Sequence, residues 1–327
     1  MRIIGFLALV VTLGMTHPGK VPVAAHGDEL GNALAYLRSL YDPIVGLVSE
    51  TPFGDDQGRK LYWMNDNIFA IAAFREHGTS SDKTLAEDIH RRVLMIAQLL
   101  SLPRYEDGFP KLGLHEVILG YPLTLPLPCA STHILFEQGY KLGLTIWNGT
   151  RDRECFVQDF SGYADNLLYE SLSAFHAGNL TNARARFREA VEFWDGRGLA
   201  DNSFLNPSDT QYLRYTTYKL ALLLYVAEKL QEELSFWNQA VETIWRMQTY
   251  NGGMVTNYVG QDAPIGGANT ETTAIVVLAD PTLRETEKTW PSFSELSYVQ
   301  VLVGLVSIVL TLNVLVLVRI ARRHAAP

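Results

Sequence analysis

Three features of this 327-residue chain predict an all-α fold of about five helical hairpins, bent into a curved or nearly closed ring and followed by a single C-terminal transmembrane helix. Apolar residues recur at helical spacing along most of the sequence, and no segment keeps the alternating period of a strand for more than a few residues. Polar first turns that open apolar helices recur at Asp66, Asp165, Tyr218 and Glu271, with separations of 99, 53 and 53 residues. The long interval reads as two repeats of about 50 residues, one of which has lost its signature near His115. Finally, Leu296 to Val318 holds no charged residue and is long enough to cross a bilayer as a helix. A simple helical solenoid is the alternative for the repeats, since both arrangements bury faces between stacked pairs.

The elements follow in order. Leu30, Ala33, Leu34, Leu37, Leu40 and Tyr41 mark a first amphipathic helix, broken by Pro43 and Gly46. A loop leads to Asn65-Asp66-Asn67 and an apolar helix through Ala73, and Thr84 to Leu100 forms another amphipathic helix. Pro110, Pro122, Pro126 and Pro128 exclude one regular helix up to Cys129. Ser131 and Thr132 cap a short helix that continues to Tyr140. Ser161 to His176 turns apolar after its polar start, Leu180 to Trp194 is amphipathic, and Tyr215 opens an apolar helix to Leu230. Ser235 to Met247 then delivers the chain to a glycine-broken loop and to a last helix beginning Asn269-Thr270-Glu271-Thr272-Thr273.

Targeting signals place this domain outside the cell. Met1 and Arg2 precede an uncharged run to Met15, and Val23-Ala24-Ala25 supplies small residues for cleavage, so residues 1–25 read as a signal peptide. An uncleaved N-terminal anchor is the alternative. Residues 26–290 form the exported domain, 291–295 a juxtamembrane linker, 296–318 the transmembrane helix and 319–327 a cytoplasmic tail. Arg319, Arg322 and Arg323 orient the anchor by the positive-inside rule. Export permits a disulfide between the two cysteines, Cys129 and Cys155. Asn148 and Asn179 fit the N-glycosylation acceptor pattern. The net charge of -8, with scattered basic residues, gives no footprint for nucleic acid.

The motifs YWMNDN (62–67), YADNLL (163–168), and NGG with ANTETTA (251–274) resemble the (α/α) toroids of carbohydrate-active enzymes: glycoside hydrolases, polysaccharide lyases and sugar epimerases. MQTYNGGM is similar to corners of terpenoid cyclase and prenyltransferase toroids. The chain is also similar to uncharacterised exported, membrane-anchored archaeal proteins. In the toroid enzymes the N-terminal ends of the inner helices face a shared cavity. The resemblance therefore implies acidic roles for Asp66, Asp165 and Glu271, and carbohydrate contacts from Tyr62, Trp63, Asn67, Tyr163, Tyr218, Tyr258 and Asn269. The chain departs from a six-hairpin ring by about one hairpin, and its second repeat lacks the polar first turn.

Glycoside hydrolysis requires two carboxyl groups at one bond, and Asp66 with Glu271 is the best pair. Helix capping explains the same residues structurally. A polysaccharide lyase using Tyr215 or Tyr218 with Arg214 and Lys219 is a second chemistry, although Lys219 also reads as a lysine snorkelling from an apolar helix. A non-catalytic glycan-binding or cell-envelope interaction protein is the alternative to an enzyme. His115-Glu116 reads as structural, because neither metal-ligand spacing nor a third ligand accompanies it. The sequence contains no GxSxG or P-loop motif, and no cofactor or metal is implied. Trp147, Trp237 and Trp245 are assigned to packing.

Overall fold

A computed structural model describes residues 28–137, 139–149, 155–260 and 263–280. The expected signal peptide, linker, transmembrane helix and tail lie outside the described residues. Among the described residues no helix is long and apolar enough to cross a membrane.

The chain enters through α1 (Glu29–Leu40), whose buried stripe is Ala33, Leu34, Tyr36, Leu37 and Leu40. A hairpin of β1 (Tyr41–Asp42) and β2 (Leu47–Val48) follows; its turn is held by Asp42, which accepts from the amides of Ile44 and Val45, and by Gly46 at φ 76°. The strand β3 (Leu61–Trp63) runs directly into α2 (Met64–His77), in which every residue from Met64 to Phe74 is buried. Next comes α3 (Ser80–Leu99), started by a capping box between Thr79 and Asp82 and buried along Ala86, Ile89, Val93, Ile96 and Ala97. A 3-10 turn (His115–Leu119) precedes the hairpin of β4 (Ala130–Glu137) and β5 (Tyr140–Trp147). Then follow α4 (Ala164–His176), α5 (Leu180–Val191), the single turn α6 (Asn202–Leu205) and β6 (Tyr215–Thr216), which leads straight into α7 (Thr217–Leu230). The described chain closes with α8 (Trp237–Arg246), the hairpin β7 (Met254–Val259) and β8 (Ala263–Asn269), and α9 (Thr270–Ala279).

This is a mixed α and β architecture, which corrects the all-α toroid expected from the sequence. Three sheets overturn that expectation: β1-β2, β3-β5-β4 with β3 parallel to β5, and antiparallel β6-β7-β8. Of the residues from Ser131 to Tyr140, expected to be helical, 131–137 lie in strand β4 and Tyr140 opens β5. The glycine-broken loop before α9 is the β7–β8 hairpin. Cys129 and Cys155 stand at disulfide distance with Cα atoms 5.3 Å apart, beside the backbone bond from the Cys129 amide to the Cys155 carbonyl.

The helices divide by the width of their apolar face. α1, α3, α5 and α8 bury one stripe and lie outside, whereas α2, α7 and α9 are enclosed on nearly all sides, and α4 buries Leu167, Leu168, Tyr169 and Leu172 against them. The inner elements touch in the order α2, 3-10 turn, α4, α7, α9 and back to α2. One continuous hydrophobic core runs through them. Strands β3, β6 and β8 enter α2, α7 and α9 directly, so the first turns of these helices sit where the sheets end.

Candidate acid-cluster site

Four carboxyl groups come together at the N-terminal ends of the inner helices: Asp66 on α2, Asp165 on α4, Glu271 on α9, and Glu50 in the segment between β2 and β3. Backbone clamps assemble them. Asn67 bonds both backbone groups of Val48, donating to its carbonyl at 2.9 Å and accepting from its amide at 2.8 Å. Thr270 donates its hydroxyl to the Ser49 carbonyl at 2.6 Å and its amide to the Glu50 carbonyl at 2.9 Å. Segment 48–50 is thereby held between the first turns of α2 and α9, which brings Glu50 to Asp66 and Glu271. Trp63 adds a side-chain hydrogen bond to Glu50.

In the first turns of α2 and α9 the polar neighbours have structural tasks and the acids do not. Around Asp66, Asn65 accepts from the Thr145 amide at 2.8 Å, donates to its carbonyl at 3.1 Å and faces His115 Nδ1 at 3.0 Å, while Asn67 holds Val48. Around Glu271, Asn269 caps α9 by accepting from the Thr272 amide at 2.9 Å, and Thr273 accepts from the Met254 amide at 2.9 Å. Thr272 meets Thr256 hydroxyl to hydroxyl at 3.1 Å. Asp66 and Glu271 accept no hydrogen bond from the described residues, and α2 begins without any side-chain cap. Capping therefore does not account for either acid.

The acids are coupled electrostatically. Burial and the neighbouring charges of Glu271 and Glu50 push the Asp66 carboxyl well above its ordinary range. Burial, Asp165 and Glu50 raise Glu271 to about 7. Burial raises Glu50 as well, against the opposing Trp63 bond. Carboxylates that repel one another disfavour ionisation, so Asp66 and Glu271 hold their protons to higher pH than ordinary acids do. Asp165 is differently placed. Tyr218 donates its hydroxyl to Asp165 Oδ2, and the Lys219 ammonium lies 3.5 Å from Oδ1.

Lys219 is not a snorkelling surface lysine. It is 4% exposed and bonds Asp201 at 2.7 Å and Ser203 Oγ at 2.9 Å. Asp201 also accepts from the Ala164 amide at 2.9 Å, one residue before Asp165. One buried carboxylate thus ties the start of α4 to the first turn of α7. Burial lowers the Lys219 pKa, but Asp165 and Asp201 outweigh it and the net shift is upward.

The aromatic expectations divide. Trp63 and Tyr163 are half-buried; Trp63 bonds Glu50, and Lys219 lies 5.7 Å from the Tyr163 ring centre. Tyr62 and Tyr258 are core residues whose hydroxyls are engaged elsewhere, Tyr62 with Asp42 at 2.9 Å and Tyr258 with the Arg197 carbonyl at 3.0 Å, so neither lines the cluster. Asn67 and Asn269 are structural, as described. Trp237 and Trp245 are buried as expected, and Trp147 is half-buried with its ring 5.0 Å from that of His115. Glu116 is buried and accepts from the amides of Gly113 and Leu114 and from Tyr105. Burial depresses His115 to about 3, which leaves a neutral ring packed against Phe69, Trp147 and Tyr169. Asn148 and Asn179 are both exposed, and Asn179 caps α5 through Asn182.

Sequence reasoning missed Glu50, Tyr169 and Asp201. Tyr169 is 1% exposed on α4, feels the charges of Glu271 and Asp165, and its hydroxyl has no partner among the described residues. Among the described residues no three His, Cys, Asp or Glu side chains lie close enough to share a metal ion. Clefts of about 570 Å³ beside Arg92, Leu99 and Tyr140, and of about 320 Å³ beside Glu76, His176 and Lys229, include none of the cluster residues. Comparisons with protein-family models, curated proteins and solved structures find no match.

Proposed function

We propose that the acid cluster is a hydrolytic acid/base site acting on carbohydrate, in a domain displayed outside the cell on a C-terminal membrane anchor. The observation that carries the reading is the division of labour among the carboxyls. Asp66 and Glu271 both lean towards the protonated form, so they do not share the two roles between them. Asp165 faces two donors, Tyr218 and Lys219, which suits an anion. Glu271 is accordingly the general acid and Asp165 the base. In the inverting form of the reaction, Asp165 takes a proton from the water that attacks the anomeric carbon. Glu271 gives its proton to the leaving oxygen as the glycosidic C–O bond breaks.

A lyase is less well supported, because burial and the charges of Asp165 and Glu271 raise the Tyr218 pKa and make its hydroxyl a poor base. Tyr215 is buried and bonded to Asp195, and Arg214 is exposed on the preceding turn. A purely glycan-binding role would use the Trp63 and Tyr163 rings but has no use for an acid poised near neutrality. The test is reducing-end release from a panel of neutral and acidic glycans by wild type, Glu271→Gln, Asp165→Asn and Asp66→Asn, each checked for folding by circular dichroism. Turnover by wild type, with losses of 100-fold or more in Glu271→Gln and Asp165→Asn, is the expected result, given the usual contribution of an acid or base. Undiminished turnover in Glu271→Gln, or none by wild type on any glycan, sinks the reading.

A further inference from the structure

We propose that the hydroxyl of Tyr169 anchors ligand in the acid cluster, and that this ligand is a neutral polyhydroxylated molecule rather than an anionic sugar. The inference rests on the hydrolytic reading for its site and goes beyond it in naming a binding residue and a substrate class.

Tyr169 lies in the middle of α4, and its ring is held edge-on to His115 with centroids 5.7 Å apart. Asn65 fixes His115 in turn, so the phenol has little room to turn away. Of two neighbouring tyrosines in electrostatic contact, Tyr218 uses its hydroxyl on Asp165, whereas that of Tyr169 is buried with no partner among the described residues. Buried polar atoms are nearly always bonded, and an exception beside a cluster of titratable groups marks a place where something else completes the bond. The same charges from Glu271 and Asp165 that reach this hydroxyl keep it protonated, so it both donates and accepts.

The class of ligand follows from charge and donor count. Glu50, Asp66, Asp165 and Glu271 face the site, and the cation that reaches it, Lys219, already serves Asp165 and Asp201. A uronate or phosphate arriving there finds Lys219 already engaged and, among the described residues at the cluster, no further cation to pair with. A neutral polyol matches what is offered, since its hydroxyls donate to Asp165 and accept from Tyr169 and from protonated Glu271.

The test is equilibrium binding, by saturation-transfer NMR and calorimetry, of maltose, cellobiose, lactose and xylobiose, set against glucuronate and glucosamine. It uses wild type, Tyr169→Phe and Glu271→Gln. At least one neutral disaccharide is expected to bind wild type, with glucuronate at least tenfold weaker. Tyr169→Phe should weaken the neutral sugar at least tenfold while its melting temperature stays level or rises, because the substitution removes an orphaned polar atom. Equal affinity in Tyr169→Phe, which is the result if a water alone completes the hydroxyl, overturns the proposal. So does glucuronate or glucosamine binding as tightly as the neutral sugars, or no neutral disaccharide binding at all. The two readings separate cleanly: binding lost in Tyr169→Phe without any cleavage by wild type removes hydrolysis and leaves this inference standing. Glycan cleavage unimpaired in Tyr169→Phe does the reverse.

Discussion

Replacing Lys219 by Met tests whether the Lys219–Asp201 pair holds the start of α4 against α7. The ammonium loses bonds to Asp201 at 2.7 Å, Ser203 Oγ at 2.9 Å and the longer contact to Asp165 at 3.5 Å. Breaking a buried ion pair usually costs about 3–5 kcal/mol. Asp201 keeps three other donors, the amides of Ala164 and Ser203 and the Ser203 hydroxyl, so its charge is not stranded and the lower figure, about 3 kcal/mol, applies. For a domain of this size that is a fall in melting temperature of about 6–12 °C. Because the folded Lys219 pKa is raised above 10.5, the contribution is fully present below the unfolded pKa and disappears as pH rises through the folded one. The gap between wild type and variant, read by circular dichroism melts, should therefore hold from pH 5 to 9 and close only above about 10.5. Asp201→Asn combined with Lys219→Met should cost less than the sum of the two singles. A melting change under about 2 °C for Lys219→Met would mean that the ammonium sits in solvent, and the positioning argument would fail.

Three further outcomes are expected. Glu271 has a folded pKa of about 7 against an ordinary 4.5, so its contribution is fully present below the unfolded value and is lost as pH rises through 7. Stability should thus drop by on the order of 2–3 kcal/mol between pH 4.5 and 8, and Glu271→Gln should flatten that slope in denaturant titrations; an unchanged slope refutes the assignment. Reduction of the Cys129–Cys155 pair, with a sequence separation of 26, should destabilise the domain by about 3.5 kcal/mol on chain-entropy grounds, and complete labelling of both thiols before reduction would show that no bond exists. Thr79→Ala removes the capping box of α3 and should cost about 1 kcal/mol in urea unfolding without affecting ligand binding.

Helix interiors were legible because their burial has the helical period: Ala86, Ile89, Val93 and Ile96 on α3, or Ala183, Phe187 and Ala190 on α5. The strands were not, for reasons specific to each. β4 carries Ile134, Leu135 and Phe136 in succession, with Ile134 and Phe136 exposed, so no polar face alternates with its apolar one. β5 does alternate through Leu142, Leu144 and Ile146, but over so short a run that the pattern does not stand out from the helical spacing around it. β3 is three residues long and pairs in parallel with β5 about 80 positions away, a contact no local pattern announces. In the site, polar first turns pointed to Asp66, Asp165 and Glu271, whereas Glu50, Tyr169 and Asp201 acquire their roles only from tertiary neighbours. Tyr62 and Tyr258 misled because a tyrosine beside a polar turn reads alike whether its hydroxyl faces a groove or reaches a partner such as Asp42.

Why the chain gathers acids at helix N-termini can be argued from competing magnitudes. The positive end of a helix stabilises a nearby carboxylate by about 0.3–1 kcal/mol, and α2, α4 and α7 all begin without a side-chain cap from their N-cap residue. Were that effect dominant, the acids would titrate below their ordinary range. Asp66 and Glu271 move the other way, with burial the largest cause and mutual repulsion the next. Enclosure wins over the dipoles, and it does so for the acids that lack donors. Asp42, Asp82 and Asp195 are also partly desolvated, yet each collects several hydrogen bonds and is held low. Among these five acids the donors received separate those held low from those left with a proton to give, whereas at Glu116 burial outweighs three donors and the carboxyl is raised.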